Sequence, residues 1–238
     1  MKVGRTVSAA VFITLSYLKN PLAFLSDLII PLVIFMVVQL GTGKGVESLL
    51  GILVAVSWSS GSFALAKKLA LYRMWRLLDM FVVSPLKPVE FAIATALAHL
   101  LILVIPAGIV TAIIMAMSRA NPTLLLLTVV SIVVIAWLMG TLFGLYIYGK
   151  LADPLRISGA ANLLNLLLIL LPPVMYPASI LPTAIQLASA AIPTVSLKLV
   201  ALHLMGVGTD VPLLVPAFTV VAHIAVFLAL ALRQRVTE

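Results

Sequence analysis

Long apolar runs dominate the chain, and most polar residues fall in the short stretches between them. A helix that crosses a bilayer needs about 20 mostly apolar residues. Six segments meet this requirement and are predicted to span a membrane: 21–40, 48–66, 89–117, 124–148, 157–171 and 213–232. The third and fourth are long enough to tilt, whereas the fifth is short. The pattern therefore predicts an all-α, polytopic membrane protein in which residues 1–238 form a single transmembrane domain.

The composition supports a membrane location and excludes two other classes of protein. Hydrophobic residues make up 63% of the chain and charged residues 9%, whereas soluble domains are about 45–50% apolar and about 25% charged. A compact soluble enzyme of this size could not bury that much apolar surface, and a disordered chain requires low hydrophobicity. Few residues are left outside the spans, so there is little room for a separate catalytic domain.

The cationic residues indicate how the spans are oriented. The chain carries 15 Lys and Arg against 7 Asp and Glu, which gives a net charge of +8. If the N-terminus is cytoplasmic, twelve of the fifteen cations fall on the cytoplasmic side. Because cytoplasmic loops carry an excess of Lys and Arg, we expect a multi-pass protein of the cell membrane with both termini in the cytoplasm. The positive charge then reflects topology and not a nucleic-acid partner.

Residues 1–20 have the pattern of an amphipathic helix. Apolar residues such as Val11 and Leu15 recur at helical spacing, and the charged residues lie largely on another face. Such a helix lies in the plane of the lipid headgroups. The Asn20-Pro21 step ends it, because a residue that precedes proline disfavours the helical conformation. The alternative interpretation is a cytoplasmic extension of the first span.

Residues 67–88 form a long cytoplasmic connection between the second and third spans. They are basic, aromatic and compatible with a helix as far as residue 83, with Arg73, Arg76 and Asp79 at intervals of three residues. An apolar ridge beside a charged ridge at the inner membrane face suits the docking of a cytoplasmic partner. The alternative is a juxtamembrane helix whose cations reach lipid phosphates.

Residues 172–212 form an external segment that stays apolar but is punctuated by prolines. The apolar pieces between them, such as 183–192 and 194–205, are too short to cross a membrane. Short apolar helices joined by prolines are typical of re-entrant segments, which persist at membrane depth only where protein or a cavity covers them. This segment is therefore predicted to cap the helix bundle on its outer side. The alternative is an interfacial loop that lies on lipid.

Few polar residues lie within the predicted spans. Ser57 and Ser60 belong to the second span, and Asn162 and Asn165 belong to the fifth. The two asparagines share one face of their helix because they are three residues apart. These four residues are candidates for a substrate path, although small polar and amide side chains also commonly hydrogen-bond neighbouring helices.

The sequence gives no sign of chemistry carried out by the chain itself. Its three histidines lack the spacing of metal ligands, and it contains no cysteine. The glycine-rich segment 41–45 does not match the G-x-x-x-x-G-K-[ST] pattern of a phosphate loop. We therefore expect no metal, cofactor or ATP bound by this chain, and no enzymatic activity of its own.

Three short motifs occur beside the predicted spans in a characteristic order. They are the helix that ends at Asn20-Pro21, the sequence Leu-Asp-Met-Phe-Val-Val-Ser-Pro-Leu at 78–86, and the proline steps at 177, 182 and 193. With the order of the spans, they resemble three features of the membrane subunit of type-2 ATP-binding-cassette exporters. Those features are the elbow helix, the Leu-Glu-x-Leu-x-x-Ser-Pro-Leu segment and the proline-punctuated outer segment. The likeness covers essentially the whole chain.

The chain departs from that family pattern in three places. Arg76-Leu77 stands where the family usually has Gly-Thr, and Asp79 stands where it has Glu. Pro172-Pro173 replaces the Ser-Gly that often precedes the external prolines. These departures concern the docking contacts and the outer gate, and not the class.

The resemblance implies a transport subunit and assigns roles to several residues. A separate cassette ATPase subunit, which binds ATP and Mg, would dock on the segment after the second span. A second copy of this chain, or a paralogous permease, would complete the translocation path within the membrane lipid. The substrate would be amphipathic: a drug, lipid, glycan or peptide. The implied coupling residues are Arg73, Arg76, Asp79, Ser84 and Pro85. The implied outer gate consists of Pro177, Pro182 and Pro193.

Two other classes of function stay open. An ATP-independent channel or ion-coupled carrier usually has charged residues deep in its spans, and this chain has few. A membrane-embedded enzyme that acts on lipids needs acids or histidines clustered near one membrane face, and the sequence shows no such cluster.

Overall fold

The computed structural model describes most of the chain. The described residues are 3–22, 25, 29, 33, 36, 37, 39, 40, 45–76, 87–118, 121–151 and 153–233. Their secondary structure is helical, and no strand occurs among them. Most of the first predicted span, 21–40, lies outside the described residues, and so do Asp79, Ser84 and Pro85. The predictions made for those positions therefore stay predictions.

Eight α-helices have defined bounds among the described residues, and two of them contain a π-helical turn. A π turn at Ser60–Ala64 lies within α2, and another at Leu166–Leu170 ends α5. The helices are α1 Val3–Leu18, α2 Gly45–Met74, α3 Pro88–Met117, α4 Pro122–Leu151, α5 Pro154–Leu170, α6 Thr183–Ser189, α7 Pro193–Leu204 and α8 Leu214–Leu232. A short 3-10 turn, Ala178–Ile180, precedes α6.

Four of the described helices are long and apolar enough to cross a membrane. They are α2, α3, α4 and α8, and they correspond to the second, third, fourth and sixth predicted spans. The helices α6 and α7 are long and apolar enough to cross a membrane only when they are taken together, and a bend of 109° separates them. The fifth predicted span appears as α5, whose 17 residues rise about 25 Å. That rise is shorter than a hydrocarbon core of about 30 Å.

Prolines and short caps determine where several helices begin. Proline occupies the first turn of α3, α4, α5 and α7, where its missing N–H costs no helical hydrogen bond. At the start of α3, the Lys87 N–H donates to Glu90 Oε2 at 3.1 Å. At the start of α5, Asp153 Oδ1 accepts from the Leu155 N–H at 2.9 Å. The predicted spans therefore begin within a few residues of the observed helices.

The helix α2 lies at the centre of the bundle and packs against α3, α4 and α7. Glycines let α2 and α4 approach closely, since a Cβ on Gly140 would lie 2.5 Å from the Trp58 carbonyl oxygen. Nearby, the rings of Trp58 and Phe143 stack with centroids 5.5 Å apart. Phe227 of α8 lies 5.2 Å from Phe143 and completes the aromatic cluster. The packing thus joins α2, α4 and α8.

The helix α1 confirms the helical part of the prediction for residues 1–20. It packs along α3, with Thr6 and Ala10 buried. Val11 and Leu15, on the predicted apolar face, are exposed. An apolar exposed face is compatible with a helix that contacts lipid.

The connection after the second span differs from the prediction. Helix α2 continues without a break into residues 65–74 and then ends, whereas the sequence predicted a helix as far as residue 83. Arg76 adopts a left-handed conformation with φ of 55°, and its N–H donates to the Arg73 carbonyl at 3.0 Å. A left-handed residue just beyond a helix reverses the chain and ends the helix. Arg73 and Arg76 therefore do not share one helical ridge.

Candidate functional site: an inner cavity and a buried ion pair

A cavity of about 490 Å³ lies between α2 and α3. Tyr17 closes it from the N-terminal segment, and Ile169 and Met175 close it from α5 and the loop that follows. Its walls are largely apolar. The remaining lining residues are Ile52, Ala55, Val56, Ser59, Ser60, Ala64, Lys67, Lys68, Leu71, His99, Ile102, Leu103 and Pro106.

The polarity of this cavity changes along α2. One part is apolar and is lined by Ile52 and Val56, opposite Ile102 of α3. Ser59 and Ser60 follow one turn later along α2. Lys67 and Lys68 come two further turns along, so the cationic part is separated from the apolar part by roughly 20 Å of helix. The site is therefore amphipathic, with a neutral part and a basic part.

The two lysines of the cavity carry uncompensated charge within the described part of the chain. No carboxylate among the described residues forms an ion pair with Lys67 or Lys68. The Nζ atom of Lys68 lies 5.2 Å from the centroid of the Tyr72 ring, which is a cation–π distance. Lys67 is exposed and Lys68 is half-buried. Two neighbouring cations with no carboxylate partner among the described residues give this part of the cavity a positive potential, which favours an anionic group.

Three of the helices that line the cavity, α2, α3 and α5, deviate from regular α-helical bonding where they border it. The π turn of α2 begins at the cavity residue Ser60, and the π turn of α5 contains Ile169. In α3, Pro106 lies inside the helix and supplies no N–H. Such irregular turns are frequent at functional sites and are places where helices bend. The cavity walls are therefore the parts of these helices that bend most readily.

The structure brings only part of the predicted substrate path to this cavity. The hydroxyl of Ser60 lines it and donates to the His99 carbonyl at 3.4 Å. Asn165 lies nearby, since its Oδ1 accepts a 3.4 Å hydrogen bond from Ser59. Ser57 is fully buried and bonds to the Leu53 carbonyl at 2.6 Å.

The fourth residue of the predicted path, Asn162, lies on the exposed surface of α5. The basic part of the cavity was not predicted. Lys67 and Lys68 follow Ser59 and Ser60 by two helical turns, so the 3.6-residue period places them on the same side of α2. That spacing was the available signal, and it was missed because the lysines were assigned to a connecting segment.

A second polar site lies where α2 begins. Lys198 of α7 is fully buried, and its Nζ lies 3.1 Å from Glu47 Oε1 in the first turn of α2. The same ammonium donates to the carbonyls of Pro173 at 3.0 Å and Tyr176 at 2.7 Å. Glu47 Oε1 also accepts from the Ala178 N–H at 2.9 Å. The ion pair thus joins α2, α7 and the loop between α5 and α6.

Sequence reasoning did not single out this ion pair. Lysine is rarely fully buried unless it is paired, so an isolated Lys198 in a long apolar segment was a usable signal. The three predicted gate prolines lie at the starts of local elements in this region: Pro177 precedes Ala178, Pro182 precedes α6, and Pro193 begins α7. Tyr176 lies in the same loop and donates to the Leu171 carbonyl at 2.7 Å. Partial burial raises the pKa of Tyr176 above its ordinary value.

The predicted coupling residues are only partly described. Arg73 lies in the last turn of α2, and Arg76 follows it with an exposed side chain. Among the described residues, no group of three or more His, Asp or Glu side chains is arranged to hold a metal ion.

The fold and composition define an all-helical protein, over its described residues, with four or five apolar segments able to cross a membrane. No family model matches the chain, and no curated protein matches it significantly.

Proposed function

We propose that the chain is the permease subunit of an ATP-driven type-2 cassette exporter, with six spans and cytoplasmic termini. It pairs with a second copy or a paralogous permease and moves an amphipathic substrate outwards. The observation that carries this proposal is the single continuous helix α2, Gly45–Met74. That helix holds Glu47, the partner of the buried Lys198, at one end, lines the amphipathic cavity in its middle, and carries the candidate docking residue Arg73 in its last turn.

A helix with these three features suits the transmission of movement from an ATPase to a substrate site. A bound partner changes a conformational equilibrium only through different contact energies in the two states. A displacement of the Arg73 end would pass along α2 to the cavity, where the π turn allows bending. The close glycine contacts make α4 move with α2.

The outer segment fits the role of a gate in this proposal. The 109° bend between α6 and α7 is compatible with a re-entrant hairpin. Pro182 precedes α6, Pro193 begins α7, and Pro177 precedes the 3-10 turn before them. The Thr194 hydroxyl of α7 donates to the Leu168 carbonyl in the π turn of α5. The hairpin is therefore connected both to a cavity wall and, through Lys198, to the start of α2.

An ATP-independent channel or ion-coupled carrier is the second candidate. The buried pair of Glu47 and Lys198 favours it, because paired charges within apolar segments are typical of ion and proton pathways. That role requires proton or ion exchange at the pair, whereas the exporter requires only that the pair holds the outer segment in place.

The decisive test is association with a cassette ATPase. The tagged chain is purified from its native membranes, the ATPase that accompanies it is identified by mass spectrometry, and both are reconstituted in liposomes. We expect ATP hydrolysis that depends on both subunits. Reversing the charges with Arg76→Glu and Asp79→Arg is expected to abolish association and stimulation.

The matched control reverses two exposed charges elsewhere, with Arg233→Glu and Asp210→Arg. Like the test variant, it leaves the net charge of the chain unchanged, and it should leave association intact. Unchanged association and ATP hydrolysis in the Arg76 and Asp79 variant would refute the coupling assignment. Transport by the chain alone, driven by an ion gradient, would establish the carrier instead.

A further inference from the structure

We propose that the inner cavity binds a membrane lipid with an anionic phosphate headgroup. Lys67 and Lys68 hold the headgroup, and the apolar wall holds the upper part of the acyl chain. The inference rests on the proposed function, since it names the substrate class of that exporter. The binding that it requires can nevertheless be measured on this chain alone.

The shape and the wall of the cavity favour a hydrocarbon chain. Its volume of about 490 Å³ falls within the range of about 300–1,000 Å³ that is usual for small-molecule sites. Ile52 and Val56 face Ile102 and Leu103 across the neutral part, and Pro106 extends the same surface. A wholly polar ligand would leave this surface without apolar contacts, whereas an acyl chain fills it.

The basic part of the cavity favours an anion. Lys67 and Lys68 are adjacent cations that repel each other, and within the described residues no carboxylate forms an ion pair with either. A phosphate between them removes the repulsion and accepts hydrogen bonds from both ammonium groups. The same charges disfavour cationic amphiphiles, so the site discriminates by charge as well as by shape.

A membrane lipid explains both parts of the cavity, whereas a free phosphate explains only one. The lysines follow the apolar wall along a single helix, in the order in which a lipid presents its chain and its headgroup. Each lysine near an anionic lipid surface strengthens binding by about fivefold. Removing both should therefore weaken binding by about 25-fold.

The test uses lysophosphatidic acid as the probe, added to the purified chain in nanodiscs made only of zwitterionic lipid. We expect saturable binding of one molecule per chain by native mass spectrometry and by titration of a labelled probe. Substituting Lys67→Gln and Lys68→Gln should weaken it by about 25-fold. The double variant Lys150→Gln and Arg233→Gln removes the same charge from exposed positions outside the cavity, and it should bind normally.

A second pair of measurements tests the apolar wall. Monoacylglycerol with the same chain lacks the phosphate, so it should bind weakly and equally to the parent chain and the lysine variant. The variant Ala55→Phe, which fills the neutral part, should lose both probes. Its folding is checked by gel filtration and thermal unfolding.

Three results would overturn the proposal. They are unchanged affinity in the lysine variant, displacement of the lipid by inorganic phosphate at similar concentrations, and tighter binding of an alkyltrimethylammonium with the same chain. The binding assay contains no ATPase, so it can be scored separately from the association test. Lipid binding without ATPase association would reject the exporter and keep the lipid site. ATPase association without lipid binding would reject the lipid site and keep the exporter.

Discussion

Lys198 illustrates how a buried charge is satisfied in an apolar segment. Its ammonium group has three donors, and the structure supplies three acceptors: Glu47 Oε1 and the carbonyls of Pro173 and Tyr176. A buried ion pair is not strongly stabilising compared with apolar residues of similar volume, but loss of one partner leaves an uncompensated charge. The pair therefore makes the fold depend on two residues together.

Removing one member of this pair should be far more damaging than removing both. We expect Lys198→Met to lower the free energy of unfolding by up to about 3–5 kcal/mol, since Glu47, whose side chain is only 12% exposed, is left without its cation. The double variant with Glu47→Leu should recover most of that loss. Thermal unfolding in detergent, monitored by tryptophan fluorescence, measures the parent chain, the two single variants Lys198→Met and Glu47→Leu, and the double variant as a double-mutant cycle.

Arg156→Met provides the control for the loss of an ion pair. Arg156 and Asp153 are 3.7 Å apart with side chains 76% and 46% exposed, so their separation should cost less than about 1 kcal/mol. Equal effects of Lys198→Met and Arg156→Met would contradict the role assigned to the buried pair.

At the scale of elements, the contact between α2 and α4 depends on the absence of side chains. A Cβ on Gly140 would lie 2.5 Å from the Trp58 carbonyl oxygen, and that oxygen belongs to the backbone of a buried helix. In contrast, a Cβ on Gly108 of α3 would meet no atom within 4 Å. The same substitution should thus have opposite effects at two glycines that both lie inside helices.

We expect Gly140→Ala to destabilise the protein by about 1–3 kcal/mol, the usual cost of overpacking. Gly108→Ala should be neutral or stabilising by up to about 1 kcal/mol, because alanine favours helix more than glycine does. The midpoint of thermal unfolding of each purified variant measures the difference. Similar destabilisation by the two changes would show that α2 and α4 are not in close contact at Gly140.

The elements differ in how far the sequence could predict them. The apolar run at 89–117 and the observed α3, Pro88–Met117, agree within one residue, because a proline both starts the helix and marks it in the sequence. The end of α2 was not predictable from helical periodicity, since Arg76 leaves the helix through a left-handed conformation that any periodic pattern ignores. At that position the backbone conformation of Arg76, and not the helical periodicity of the sequence, determines where α2 ends.

The candidate site was predicted less completely than the helices. Ser60 was found because it is polar within an apolar span, and that reasoning also selected Ser57, whose hydroxyl is satisfied by the Leu53 carbonyl one turn away. Polarity alone does not reveal which face of a helix meets a cavity. Glu47 and Lys198 are 151 positions apart in the chain, so only the three-dimensional structure could pair them.

For the whole molecule, the orientation of the helices is the feature on which the proposed mechanism depends. The four long apolar helices do not by themselves fix the topology, since α5 is short and α6 and α7 form a bent pair. The exporter requires α5 to cross the membrane and the bent pair to return to the outer side. Lys150, Asp210 and Arg233 are exposed and lie on either side of these elements.

Single cysteines at these three positions distinguish the arrangements, because the chain contains no cysteine of its own. We expect a membrane-impermeant maleimide to label Asp210→Cys in intact cells, and to label Lys150→Cys and Arg233→Cys only after permeabilisation. If α5 does not cross and the bent pair is re-entrant, Asp210 will instead label together with Lys150, and Arg233 will label from outside. That pattern would place the C-terminus on the other side of the membrane from Lys67 and Lys68. It would also remove the even number of spans that the exporter requires, whereas the lipid site would be unaffected because α2 and α3 form most of it.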